Sequence, residues 1–247
     1  MKKLAFLYLF SVALISGIFG QKTAQLQYAF KDFDGLVISS GYDVYVEKGD
    51  NYSITITVSA EHADKVNASV SNGVLTLGAE KGLKNIKTLK AYITMPRLSS
   101  VTLSGGSDLV GNGVFISEKF RANLSGGCDM RLDIRTEKAD ITLSGGSDVR
   151  MNIEATDITL KSTGGSDAKL TGRAVNVSFT SSGGSDIDAK GLTAHHVTIV
   201  SSGGSDVDVH AEQTLIVNTS GACDVTYSGN PTVTSNLSGS STLKKRK

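Results

Sequence analysis

A five-residue phrase returns seven times along this 247-residue chain. It reads Ser104-Gly-Gly-Ser-Asp108, Ser125-Gly-Gly-Cys-Asp129, Ser144-Gly-Gly-Ser-Asp148 and Thr163-Gly-Gly-Ser-Asp167, then Ser182-Gly-Gly-Ser-Asp186, Ser202-Gly-Gly-Ser-Asp206 and Ser220-Gly-Ala-Cys-Asp224. The aspartates are separated by 21, 19, 19, 19, 20 and 18 residues. A unit this short cannot bury its own apolar face. A fixed period near 19 residues therefore means one supersecondary unit stacked on copies of itself.

The residues between the phrases say what that unit is. In the third repeat Ala139, Ile141 and Leu143 alternate with polar residues before the glycines, and Val149, Met151 and Ile153 alternate after them. Period-two alternation on both sides of a glycine turn reads as two strands, each with one buried face. A meander would reverse the chain and place like turns on every second strand. A solenoid puts every copy in one column, which explains their likeness. The fold class read from the sequence is thus all-β: a right-handed parallel β-helix, handed by the usual crossover rule, with coils of about 19 residues. A closed β-barrel or a propeller is the competing architecture.

Inward positions just before the glycines change from Leu103, Leu124 and Leu143 to Ser162, Ser181, Ser201 and Thr219, then Leu237. The buried hydroxyls are expected to form a hydrogen-bonded ladder along the axis. Upstream, Tyr42 to Val46, Tyr52 to Val58, Val74 to Leu77 and Ala91 to Thr94 also read as strands, Glu61 to Lys65 as a helical turn, and Ser40-Gly-Tyr-Asp43 as a degenerate copy of the motif.

The N-terminus begins Lys2-Lys3 and continues through a short apolar stretch to Gly20, the pattern of a secretory signal peptide. The expected organisation is a signal peptide at 1–20, a linker at 21–35, a β segment at 36–100 that begins and caps the solenoid, the repeat β-helix at 101–243 and a basic tail at 244–247. The chain is then exported to the periplasm, the outer surface or the extracellular space, with no membrane span after signal removal. Net charge is +1, which gives no basis for nucleic-acid binding. The two cysteines, Cys128 and Cys223, hold the same motif position five repeats apart. That is about 24 Å at the usual strand spacing, far beyond disulfide reach, so both are expected to be unpaired.

Paired glycines suit a sharp corner, and the motif Ser and Asp can accept hydrogen bonds from turn N–H groups. That is the structural role expected of the column Asp108, Asp129, Asp148, Asp167, Asp186, Asp206 and Asp224. Stacked carboxylates repel one another. Arg131, Arg150 and Lys169 follow two residues after their aspartates, but Asp188 and Asp208 take that place in later coils. Asp186, Asp188, Asp206 and Asp208 therefore form an oxygen-rich patch, the sequence's candidate for a Ca²⁺ site. Two carboxylates could also serve acid–base catalysis, as in β-helical polysaccharide lyases or hydrolases. His195, His196 and His210 interrupt the repeat and read as exposed turn residues, with zinc or catalysis as the alternative. No catalytic residue is assigned.

These repeats resemble the head GIN domain family of Bacteroidetes-type bacteria, labelled "putative autotransporter adhesin". Gly41-Tyr-Asp-Val-Tyr-Val46, Ile93-Thr-Met-Pro-Arg-Leu98, the signal-like start and the basic end fit it too. The resemblance covers about residues 33–243. It implies the β-helix and a non-enzymatic adhesive role at the cell envelope or surface, with a glycan or a cell-surface protein as partner. It brings no catalytic residues.

Overall fold

A strand with one apolar face needs cover on that face, and in a solenoid each coil supplies it from its own other half. The computed structural model describes residues 12–15, 22–80 and 86–246. Most of the segment read as a signal peptide, including the cleavage point beside Gly20, lies outside the described residues. The strands are β1 (Val12–Ile15), β2 (Thr23–Tyr28), β3 (Gly35–Ile38), β4 (Asp43–Lys48), β5 (Ser53–Ser59), β6 (Val66–Ser71), β7 (Val74–Ala79), β8 (Leu89–Met95), β9 (Ser100–Ser104), β10 (Asp108–Ser125), β11 (Asp129–Ser144), β12 (Asp148–Gly164), β13 (Ala168–Gly183), β14 (Ile187–Gly203), β15 (Asp206–Gly221), β16 (Asp224–Ser228), β17 (Thr232–Leu237) and β18 (Thr242–Lys245). A 3-10 turn, Ala60–Lys65, is the only helical element among the described residues and falls where the sequence reads as a helical turn.

Strands β10 to β15 pair in parallel, each with the next. Each long strand carries a face that follows the glycine turn, a second corner, and a face that precedes the next turn. In β11 the faces are 129–135 and 139–144. Thr136 fills the corner between them, its buried hydroxyl 3.0 Å from the Glu118 carbonyl and 3.1 Å from that of Lys138. The inward residues Ile134, Ile141, Leu143, Ile153, Leu160, Leu170 and Phe179 are all buried in one continuous core. Each such side chain contributes about 1.5–3 kcal/mol on leaving water. The fold is the parallel β-solenoid that the period implies, with about 8 turns.

The motif copies fall in one column. Asp43 lies beside Asp108, Asp129 beside Asp148, and Asp206 beside Asp224, so Ser40-Gly-Tyr-Asp43 is a true copy of the corner. The fourth motif residue points inward. Ser147 and Ser166 are fully buried, and each donates to the carbonyl three residues back (3.0 and 3.1 Å). Ser166 Oγ also accepts from the Ser147 N–H of the adjoining coil (3.2 Å). Cys128 repeats the pattern with sulfur, its thiol donating to the Ser125 carbonyl. Both cysteines are buried and free, as the column argument requires.

The corner changes type along the stack. Gly145 and Gly146 both adopt positive φ (70° and 84°), whereas in the coil of Gly183 and Gly184 only the first does (83°). The change coincides with the replacement of inward leucines by serines. Ser162 Oγ donates to the Ser166 carbonyl (2.8 Å), Ser181 and Ser201 Oγ atoms lie 2.7 Å apart, and Ser201 Oγ donates to Cys223 Sγ (3.3 Å). The expected hydroxyl ladder is present for Ser181 and Ser201. Ser162 instead turns to its own corner, and Thr219 Oγ1 has no partner among the described residues. Leu237 aligns with Thr219 but is 37% exposed, because no further described coil covers it. It continues the column in register without being inward-buried.

The N-terminal coils stack out of chain order. β3 and β4 form a coil whose two faces pair with β9 and with the start of β10. On their other side lie β7 and β8, which come later in sequence. The antiparallel pairings β6–β7 and β5–β8 turn the chain back to make this possible. β2 pairs antiparallel with β5, and β1 with β2, extending that end.

Candidate binding face

The outward residues of the post-turn face fall in columns set by the parallel register. The first is the motif aspartate column. Four of its carboxylates cap an amide of the next coil: Asp108 Oδ1 accepts the Asp129 N–H (3.1 Å), Asp148 that of Asp167 (3.3 Å), Asp167 that of Asp186 (3.4 Å) and Asp186 that of Asp206 (3.1 Å). Asp224 accepts instead from the Thr242 hydroxyl. This is a ladder in which an aspartate of one coil satisfies a corner amide of the next. Burial, then the charges of their stacked neighbours, push the carboxyls of Asp129, Asp167 and Asp206 above the ordinary carboxylate value.

In the acidic patch the carboxylates meet cations that the motif itself does not supply. Asp188 and Asp208 are cross-strand neighbours, and Asp186 and Asp206 are joined through the amide bond of the ladder. The position two after each aspartate is acidic there, but Lys190 on the same strand and residues of other coils supply cations. Lys190 Nζ lies 3.1 Å and Lys169 Nζ 3.9 Å from Asp188 Oδ2, and Arg246 Nη2 donates to Asp208 Oδ1 at 2.8 Å. Among the described residues no group of three or more His, Cys, Asp or Glu side chains is placed to hold a metal ion.

The histidines lie in the second corner, each with its own partner. His195 Nε2 is 3.3 Å from Glu212 Oε2, His196 Nδ1 2.9 Å from Thr214 Oγ1, and His210 Nδ1 2.9 Å from Ser228 Oγ. Beside His195 runs a groove of about 420 Å³ that includes Glu154. Hydrogen bonds from Arg173 and Arg135 hold the Glu154 carboxyl below its ordinary value, so it remains an ion-pair acceptor.

The second outward column on the post-turn face is where the sequence reading missed a feature. Register places Tyr92, Tyr45, Val110, Arg131, Arg150, Lys169 and Asp188 in one row across seven strands. Tyr45 and Tyr92 stack with ring centroids 5.2 Å apart and planes within 13°. They are 40% and 46% exposed, and Lys90 Nζ sits 6.0 Å from the Tyr45 ring. The signal was available: Val44 and Val46 occupy the inward phase of β4, so Tyr45 has to face out.

Next to the tyrosines, three residues of β10 (Gly111 to Gly113) stand opposite the single Leu132 of β11. This bulge is the origin of the 21-residue first spacing. A Cβ at Gly111 would lie 2.4 Å from Leu132 Cδ1, so any side chain there would have to push the leucine aside. Shallow grooves of about 270 and 310 Å³ lie on either side of it, the first lined by Tyr45 and Tyr92, the second by Arg131 and Arg150.

These features define a repeat-built β-solenoid that presents long, regular faces. The chain belongs to the family described as "Putative auto-transporter adhesin, head GIN domain", whose profile matches residues 32–231. Among solved structures, a putative adhesin from Parabacteroides merdae is 19% identical over 91% of this chain and 96% of its own, with a TM-score of 0.87. A putative adhesin from Parabacteroides distasonis is also 19% identical, over 91% and 97%, with a TM-score of 0.86. A protein from P. distasonis described as a putative lipid binding protein is 17% identical over the same shares, with a TM-score of 0.83. At these identities the likeness shows the fold. No match was found among curated proteins. No helix among the described residues is long and apolar enough to cross a membrane.

Proposed function

We propose that this chain is an exported, non-enzymatic protein of the cell envelope or surface that adheres to glycans or other surface molecules through its outer faces. The observation that carries this reading is the commitment of the motif carboxylates. Asp108, Asp148, Asp167 and Asp186 each accept an amide of the next coil, and Asp188 and Asp208 are held by cations. A hydrolase would need a pair of carboxyls in opposed protonation states around a cleft. These carboxylates instead serve the stack. The family's adhesin description and the signal-like N-terminus agree with an exported binding role. A glycan-array screen of the mature protein tests it. Retention of a defined set of glycans is the expected result. Turnover of a glycan, lost on mutating one carboxylate, overturns it in favour of a β-helical lyase or hydrolase.

A further inference from the structure

We infer that the row from Tyr92 to Lys169 is a binding strip for a neutral, extended polysaccharide. This rests on the adhesive reading above and names the ligand class and the residues. Three observations converge on it. First, Tyr45 and Tyr92 form a parallel aromatic pair that is open to solvent on the outside of a sheet. A sugar ring offers an apolar C–H face that stacks on such a surface, and the exposed Val110 extends it by one strand. Second, the bulge beside Val110 cuts shallow grooves into an otherwise flat face, and bulges re-aim side chains at such places. Third, Arg131 and Arg150 line the groove beyond the bulge, and neither guanidinium has a hydrogen bond or an ion pair within 4 Å among the described residues. Their charges act on Asp129 only at longer range. Their planar donors are free for a ligand.

The charge pattern selects a neutral ligand over an acidic one. Asp129 and Asp148 flank the two arginines on one side, and Asp133 lies on the other. A polyanion drawn to the guanidinium groups would meet these carboxylates, and a polycation would meet the arginines. A hydroxyl both donates and accepts, so a sugar can use both sets at once. The row from Tyr92 to Lys169 crosses five strand spacings, about 24 Å, which suits a linear chain lying across the strands.

The test is affinity measurement of the mature protein against soluble neutral polysaccharides (a β-glucan, a mannan and a xylan) and against polygalacturonate and a sulfated glycan, at about 0.05 and 0.5 M salt. At least one neutral polymer is expected to bind with little change between the two salts. Tyr45→Ala with Tyr92→Ala should weaken it about tenfold or more, while Tyr45→Phe with Tyr92→Phe retains it. Arg131→Gln with Arg150→Gln should weaken it without changing the melting temperature. The alanine variants lose the cross-strand ring stack and should melt a few degrees below the parent, so binding is compared well below both transitions. Neutral-glycan binding unaffected by any of these changes overturns the strip but leaves the adhesive role intact. Binding only to acidic polymers, abolished by salt, overturns the ligand class. Absence of any glycan binding removes both this inference and the glycan part of the reading beneath it.

Discussion

Two adjacent glycines in one corner should respond to alanine in opposite ways. At Gly183 the backbone has φ of 83°, and a Cβ would lie 2.7 Å from the Gly164 carbonyl oxygen and 3.2 Å from its nitrogen. The obstacle is backbone of the adjoining coil, so no side chain can swing aside. At Gly184 a Cβ meets nothing within 4 Å, and φ is not in the left-handed region. Ala222 already occupies that position in a later coil. Gly183→Ala therefore carries about 1–2 kcal/mol of left-handed strain. It also displaces the carbonyl that accepts the Gly184 N–H at 2.8 Å, a bond worth about 1 kcal/mol net. The total is about 2–3 kcal/mol, a fall in melting temperature of about 4–12 °C for a chain of this size. Gly184→Ala should be neutral or stabilise by up to about 1 kcal/mol, by restricting the unfolded chain. Thermal and urea unfolding of the two variants beside the parent measures both. Equal effects, or a larger loss at Gly184, would refute the corner geometry.

Asp167→Asn keeps the Oδ1 acceptor for the Asp186 amide and removes a charge from the stack, so it should stabilise at neutral pH by up to about 1 kcal/mol. The sign follows from its raised carboxyl. A folded-state value above the unfolded one makes the parent gain stability as pH falls through the folded value, complete below the ordinary value of 3.8. The variant's advantage should shrink over that window in pH-dependent melts, and an advantage that grows on acidification would contradict the ladder. Cys128 and Cys223 should resist a thiol reagent in the native protein and react on unfolding, with reductant leaving the melting temperature unchanged. Ca²⁺ and a chelator should give the same melting midpoint, because Asp188 and Asp208 already have cation partners. A rise of about 2.7 kcal/mol at a hundredfold excess over the dissociation constant would establish a site.

Much of this solenoid is legible in its sequence because the repeat is its structure. The spacing of seven aspartates, the two-residue alternation and the identical corners specify stacked parallel coils and the column of Asp108 to Asp224. What escapes is whatever depends on a neighbouring coil. Lys169 and Arg246 reach the acidic patch from other strands, and no local motif announces them. The placement of β7 and β8 on the far side of β3 and β4 follows from antiparallel returns in a segment without the motif. The corner's change of type is visible in advance only as the replacement of Leu143 by Ser162, which reads equally well as a simple ladder. The tyrosine pair needed only the phase of β4, but its partner Tyr92 lies 47 positions along the chain and becomes its neighbour only through that coil order.

The adhesive role is tested most directly by asking whether the protein holds a polysaccharide without changing it. Purified protein is incubated with each glycan it retains, and new reducing ends and unsaturated products are followed while binding is measured in the same mixture. The account predicts saturable binding, weakened by the paired Tyr45 and Tyr92 alanine substitutions, with no product accumulating over the incubation. Accumulating product that disappears on replacing a single carboxylate such as Asp188 or Glu154 would contradict it.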